Sequence, residues 1–106
     1  PRKMFDKLKI GYQLYTLEPH SDLVDISGDT DCETGVIRYD SSETGFRHVN
    51  TILHEVLHAV WDQVGLNATL TEDQQEQVVT GIANGLTMIL ADNPHVTIQR
   101  LKADDV

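Results

Sequence analysis

A chain of 106 residues suits one domain with a modest core, and its 40% apolar and 24% charged content is that of an ordinary globular protein. With 17 acidic side chains against 8 basic ones, the net charge of −9 sets the surface against phosphate backbones and anionic lipid, so neither nucleic-acid binding nor membrane attachment is expected. The single cysteine, Cys32, allows no internal disulfide and fits a reducing compartment, and its neighbours Asp31 and Glu33 argue against a nucleophilic thiol. The start Pro1-Arg2-Lys3-Met4-Phe5-Asp6 does not open a secretion signal, and no apolar run reaches membrane-spanning length, so the expected location is the cytoplasm.

In chain order, Lys7 to Tyr15 alternates apolar and polar residues, which predicts one half-buried strand. From Leu17 to Asp31, Pro19, Gly28 and clustered Ser, Asp and Thr break the pattern, and Leu23-Val24-Asp25-Ile26 fits a short turn of helix or a strand. Val36, Ile37 and Tyr39 predict a second short strand between Gly35 and Asp40-Ser41-Ser42.

Val49, Ile52, Leu53, Val56, Leu57, Val60, Trp61 and Val64 then recur with helical period and cover most of the circumference, so this helix is expected to be buried on several sides. Thr44, Ser42 or Ser41 can cap its start, and Gly65 is placed to end it in the left-handed conformation. Thr71 with Gln74 three residues on is a capping-box pattern opening a second helix, and Asn93-Pro94 ends it. Gly81 and Gly85 inside that helix each cost about 1 kcal/mol against alanine; the expected compensation is close approach to the first helix. His95 to Leu101 fits a last strand or a short helix, and 103–106 a frayed end.

The chemistry concentrates at His54-Glu55-Val56-Leu57-His58. Residues four apart stack on one helix face, so His54 and His58 aim two imidazoles at one point, as a tetrahedral zinc ion requires. Glu55 projects about 100° away, within reach of a water beside the metal without ligating it. The competing reading is a buried helix whose histidines are hydrogen-bonded core residues. A catalytic site needs a third protein ligand. Glu76 on the second helix, eighteen residues after His58, is the choice, and Glu72 one turn earlier the runner-up.

His54-Glu55-Val56-Leu57-His58 followed by Glu76-Gln77-Val78-Val79-Thr80-Gly81-Ile82-Ala83 resembles the minimal gluzincin metallopeptidases, in particular the short phage- and prophage-encoded domains related to the ImmA/IrrE and SprT-like groups. The resemblance covers roughly residues 35 to 90 and a strand at Lys7–Tyr15. It implies an α+β zincin-like domain spanning 1–106, with two main helices on a sheet of two to three strands. One Zn2+ would lie between the helices, held by His54, His58 and Glu76 with Glu55 as general base. A peptide or protein substrate would bind along an edge strand, which by position is Val36–Asp40, so Val36, Ile37, Arg38 and Tyr39 are the implied contacts.

Two positions depart from the larger gluzincins. Thr80 stands where a carboxylate often orients a ligand histidine, and no electrophile is assured, Tyr12, Tyr39, His48 and His95 being candidates. The function implied is zinc-dependent peptide-bond hydrolysis. The alternative is a non-catalytic, zinc-stabilised binding or accessory module with a vestigial site.

Overall fold

The computed structural model describes residues 4–103; residues 1–3 and 104–106 lie outside it, and with them all of the expected frayed end but Ala103. The class is α+β as expected, with four strands rather than two to three. In chain order these are β1 (Lys7–Ile10), β2 (Gln13–His20), β3 (Gly28–Asp31) and β4 (Val36–Asp40), followed by α1 (Gly45–Gln63), α2 (Glu72–Asp92) and α3 (Ile98–Lys102). The sheet order is β1-β2-β4-β3; β1 and β3 pair antiparallel to their neighbours and β2 and β4 run parallel.

The alternation from Lys7 to Tyr15 belongs to two strands, not one. Gly11, at φ +61°, and Tyr12 make a two-residue turn, and Ile10 pairs with Gln13 across it. The reversal changes parity: Leu8 and Ile10 face the core from β1, whereas Tyr15 and Leu17 face it from β2. Tyr12 sits exposed at the tip, where its N–H donates to Gln63 Oε1 at 3.2 Å. Pro19 does not break β2, because the β1 ladder ends at Thr16 and the last bond on that side is Leu17 N–H to Asp6 O at 2.9 Å; among the described residues nothing beyond it misses a proline N–H.

α1 is the central layer. It packs on β1, β3 and β4 with one side and on α2 with the other, which accounts for apolar residues round most of its circumference. Ile10, Tyr15, Leu17 and Ile37 from the sheet meet Ile52 and Ala59 of α1 in one core. Val79 and Ala83 are the fully buried residues of α2.

Both predicted helix ends hold. Leu66 N–H reaches Trp61 O at 3.0 Å and Gly65 N–H reaches Asp62 O at 3.1 Å, a Schellman closure with Gly65 at φ +78°. Thr71 and Gln74 complete the capping box in both directions, and α2 stops at Asp92. The last segment is a short helix, capped where Thr97 accepts from Arg100 N–H at 3.2 Å.

The expectation for Gly81 and Gly85 is corrected. Nothing lies within 4 Å of a Cβ built at either, so they make no close approach to α1. The face of α2 turned to α1 carries Val79 and Ala83, and each glycine lies two residues, about 200°, further round.

Tyr15 is fully buried, and its hydroxyl has no conventional hydrogen-bond partner; the Cys32 thiol, a weak one, is its polar neighbour. Burial raises its pKa well above the ordinary tyrosine value, with Cys32 adding to the shift. Between the unfolded and folded values the unfolded chain has lost this proton while the folded one keeps it. The corresponding stability is therefore complete below pH about 10 and falls by about 1.4 kcal/mol per pH unit above it. Tyr15→Phe is expected to flatten that alkaline loss in denaturant titrations. At pH 7 it is expected to leave stability unchanged or raised by about 1 kcal/mol, since an unpaired buried hydroxyl is removed. An unchanged alkaline slope would refute the assignment.

Candidate metal centre

His54 and His58 stand one turn apart on α1, where its surface meets α2, with ring centroids 4.9 Å apart. Their Nε2 atoms are separated by 3.2 Å. Glu76, in the second turn of α2, brings Oε1 to 2.7 Å from His54 Nε2 and Oε2 to 2.9 Å from His58 Nε2. Across the α1–α2 contact, Asn50 Nδ2 donates to Asn84 Oδ1 at 3.0 Å and to Thr87 Oγ1 at 3.1 Å, which pins the rotation of one helix against the other.

The three residues fit a metal ion. Their donor atoms lie within 4.8 Å of one another, and no other group of three or more His, Cys, Asp or Glu side chains converges this way among the described residues. Ligands held 2.0–2.1 Å from a tetrahedral ion lie about 3.3 Å apart, close to the spacing of the two imidazole nitrogens. With their lone pairs free, two imidazole nitrogens and a carboxylate oxygen form a donor set that suits a cation. Glu72 lines the same groove but stands outside the cluster.

Glu55 leans from the same stretch of α1 toward β3 and lines the groove shared with His54, His58 and Glu76. It is buried, and Thr30 Oγ1 lies 2.8 Å from its Oε1 and 3.0 Å from its backbone oxygen. Burial pushes its carboxyl above the usual carboxylate range, against the opposing pull of the Thr30 hydrogen bond and of His54 and His58.

β3 approaches Glu55 closely because residue 28 is glycine. A Cβ there would meet Arg38 O at 2.7 Å and the Glu55 side chain at 3.2 Å. The loop before β3 is tied to α1 through Glu43, whose carboxylate accepts from Ser27 Oγ at 2.9 Å and Thr51 Oγ1 at 2.6 Å. Thr44 is the N-cap residue of α1, but its hydroxyl makes no capping bond.

A groove of about 900 Å3 runs over the site, with residues 26–30 on one wall and Glu72, Glu76 and Thr80 on the other. The expectation that Val36–Asp40 is the substrate's edge strand is corrected. β4 is interior, bonded to β2 on one side and β3 on the other, so it has no free edge to offer a peptide. Val36 pairs with both Thr16 and Asp31, Ile37 is core, Arg38 is ion-paired to Asp29 on the adjacent strand, and Tyr39 packs edge-on against His48. The strand that ends the sheet beside the groove is β3.

None of Tyr12, Tyr39, His48 or His95 lines the groove. His48 Nε2 instead meets Met4 Sδ at 3.1 Å. Cys32 borders the groove, but burial pushes its thiol up, so it stays protonated as its sequence context suggested. Gln75 was missed in the sequence: its Oε1 lies 3.1 Å from His58 Nδ1, an outer contact for which the sequence offered only Thr80 in place of a carboxylate. A polar residue beside the third ligand was the available signal.

Comparison with family models, with curated proteins and with solved structures finds no match to this chain.

Proposed function

We propose that the chain is a zinc-dependent metallopeptidase. The observation that carries the reading is the convergence of His54, His58 and Glu76 on one point, with the non-ligand Glu55 buried beside it. Two imidazoles and one carboxylate suit zinc among common divalent ions, and three protein ligands leave a coordination position open, as catalytic rather than structural sites do. A zinc ion held there supplies Lewis acidity toward a carbonyl oxygen and a water.

The chain's own residues account for the rest. Glu55 takes a proton from the attacking water and returns it to the departing amine. Thr30 holds the Glu55 carboxylate in place. β3, with no strand on its outer side among the described residues, can pair an extended peptide by main-chain hydrogen bonds along the groove. The lone thiol and the lack, among the described residues, of a helix long and apolar enough to cross a membrane are consistent with action in the cytoplasm.

A second reading, a zinc-stapled binding module without turnover, is favoured by one observation: among the described residues no tyrosine or histidine beyond His54 and His58 lines the groove to stabilise an oxyanion. Elemental analysis of the purified chain, with mass spectrometry of a mixed peptide library before and after chelation, separates the two. The peptidase reading expects one zinc per chain and cleavage that chelation abolishes and zinc restores. Bound zinc without cleavage favours the module, and a chain without metal overturns both.

A further inference from the structure

A histidine ligates through Nε2 only when that nitrogen has its lone pair free, so the hydrogen of the neutral ring must sit on Nδ1. For His58 a chain of side chains leads away from Nδ1. Gln75 Oε1 lies 3.1 Å from it, Gln75 Nε2 lies 3.2 Å from Asn67 Oδ1, and Asn67 Nδ2 lies 2.5 Å from Asp62 Oδ1. The chain begins in the last turn of α1, crosses the loop and enters the first turns of α2.

Either amide could be turned end for end with little change of shape. Asp62 removes that freedom, because an ionised carboxylate only accepts. It takes the NH2 end of Asn67, which leaves Asn67 Oδ1 facing Gln75. Gln75 must then present its own NH2 to Asn67 and its oxygen to His58, and His58 must answer with Nδ1–H.

We infer that Asp62, Asn67 and Gln75 form a polarised relay that holds His58 in the Nδ1–H form with Nε2 free for a metal ion. All three are positioning residues, and their value to the protein rests on the metal reading above. The relay does what a carboxylate directly behind the ring does in other metal sites, here through two amides.

The test uses the full chain with Zn2+ as the only ligand. Competition with a chromophoric chelator measures affinity, circular dichroism checks folding, and nitrogen-15 spectra of the histidines locate ring hydrogens with and without zinc. In the wild type a hydrogen on His58 Nδ1, protected from exchange and close to the Gln75 side chain, is expected in both states. Gln75→Leu is expected to lose that protection and to bind zinc about 10–100-fold more weakly. Gln75→Glu, which still accepts from Nδ1–H, is expected to stay near wild type, and Asp62→Asn, which lets both amides reverse, to fall between.

Bare Nδ1 in the wild type, wild-type affinity in Gln75→Leu, or equal losses in Gln75→Leu and Gln75→Glu would each overturn the relay. Should Gln75→Leu not fold, Asp62→Asn decides the matter by the same two readouts. A wild type that shows the protected hydrogen but binds no zinc would overturn the peptidase reading while the relay stands.

Discussion

Glu55→Gln is expected to keep the fold and the zinc and to lose peptide hydrolysis by about 10²–10⁴-fold, the range a positioned general base supplies. The substitution is nearly isosteric, and its amide oxygen still accepts from Thr30 Oγ1, which now lies 2.8 Å from a carboxylate oxygen. Burial already disfavours the charged form at this position, so a neutral amide carries no added desolvation penalty. His54, His58 and Glu76 converge without Glu55, so zinc content is expected to match the wild type. What disappears is the buried carboxyl proposed above to take and return the proton. Cleavage of the peptide library by Glu55→Gln at the wild-type rate would refute the mechanism while leaving the metal site intact.

Glu76→Ala is expected to remove the zinc, whereas Glu72→Ala is expected to keep it. Glu76 places one oxygen on each imidazole, at 2.7 and 2.9 Å, and is the only carboxylate of the converging group. Losing a ligand outright is expected to weaken binding by more than the about 10–100-fold typical of an outer partner. The stability of the metal-free protein changes little, because the carboxylate is half exposed and screened. Glu72 lies in the first turn of α2, where a negative charge favours the helix dipole, so its removal costs only about 0.3–1 kcal/mol of stability. Elemental analysis of the two purified variants decides between them. Zinc retained in Glu76→Ala and lost in Glu72→Ala would place the third ligand one turn earlier.

The legible parts of this chain were those where a local rule acts alone. The Thr71–Gln74 box, the left-handed Gly65 and the stop at Asn93-Pro94 each depend on contacts within a few residues, and the structure has all three. The pairing of His54 with His58 follows from helical period, and the packing of α1 on two sides from apolar residues round most of its circumference.

What was misread depended on partners distant in the chain. β3 is Gly-Asp-Thr-Asp, a polar stretch without alternation, and it is a strand because β4 pairs with it and α1 supports it. The hairpin at Gly11 was hidden because the alternation of Lys7–Tyr15 runs through the turn unchanged, while the reversal shifts which parity faces the core.

By itself, then, the sequence determined two capped helices, the first carrying two imidazoles on one face and a carboxylate round the corner, while the α+β class was what the resemblance implied. It determined these because helical period and capping are written over a handful of adjacent residues. Only the tertiary structure decided that β4 lies inside the sheet and β3 at its edge, that the glycines of α2 face away from α1, and that Gln75 reaches His58. Each of those depends on the order of strands or the rotation of one helix against another. Those are settled by which surfaces bury each other, not by any stretch of chain read alone.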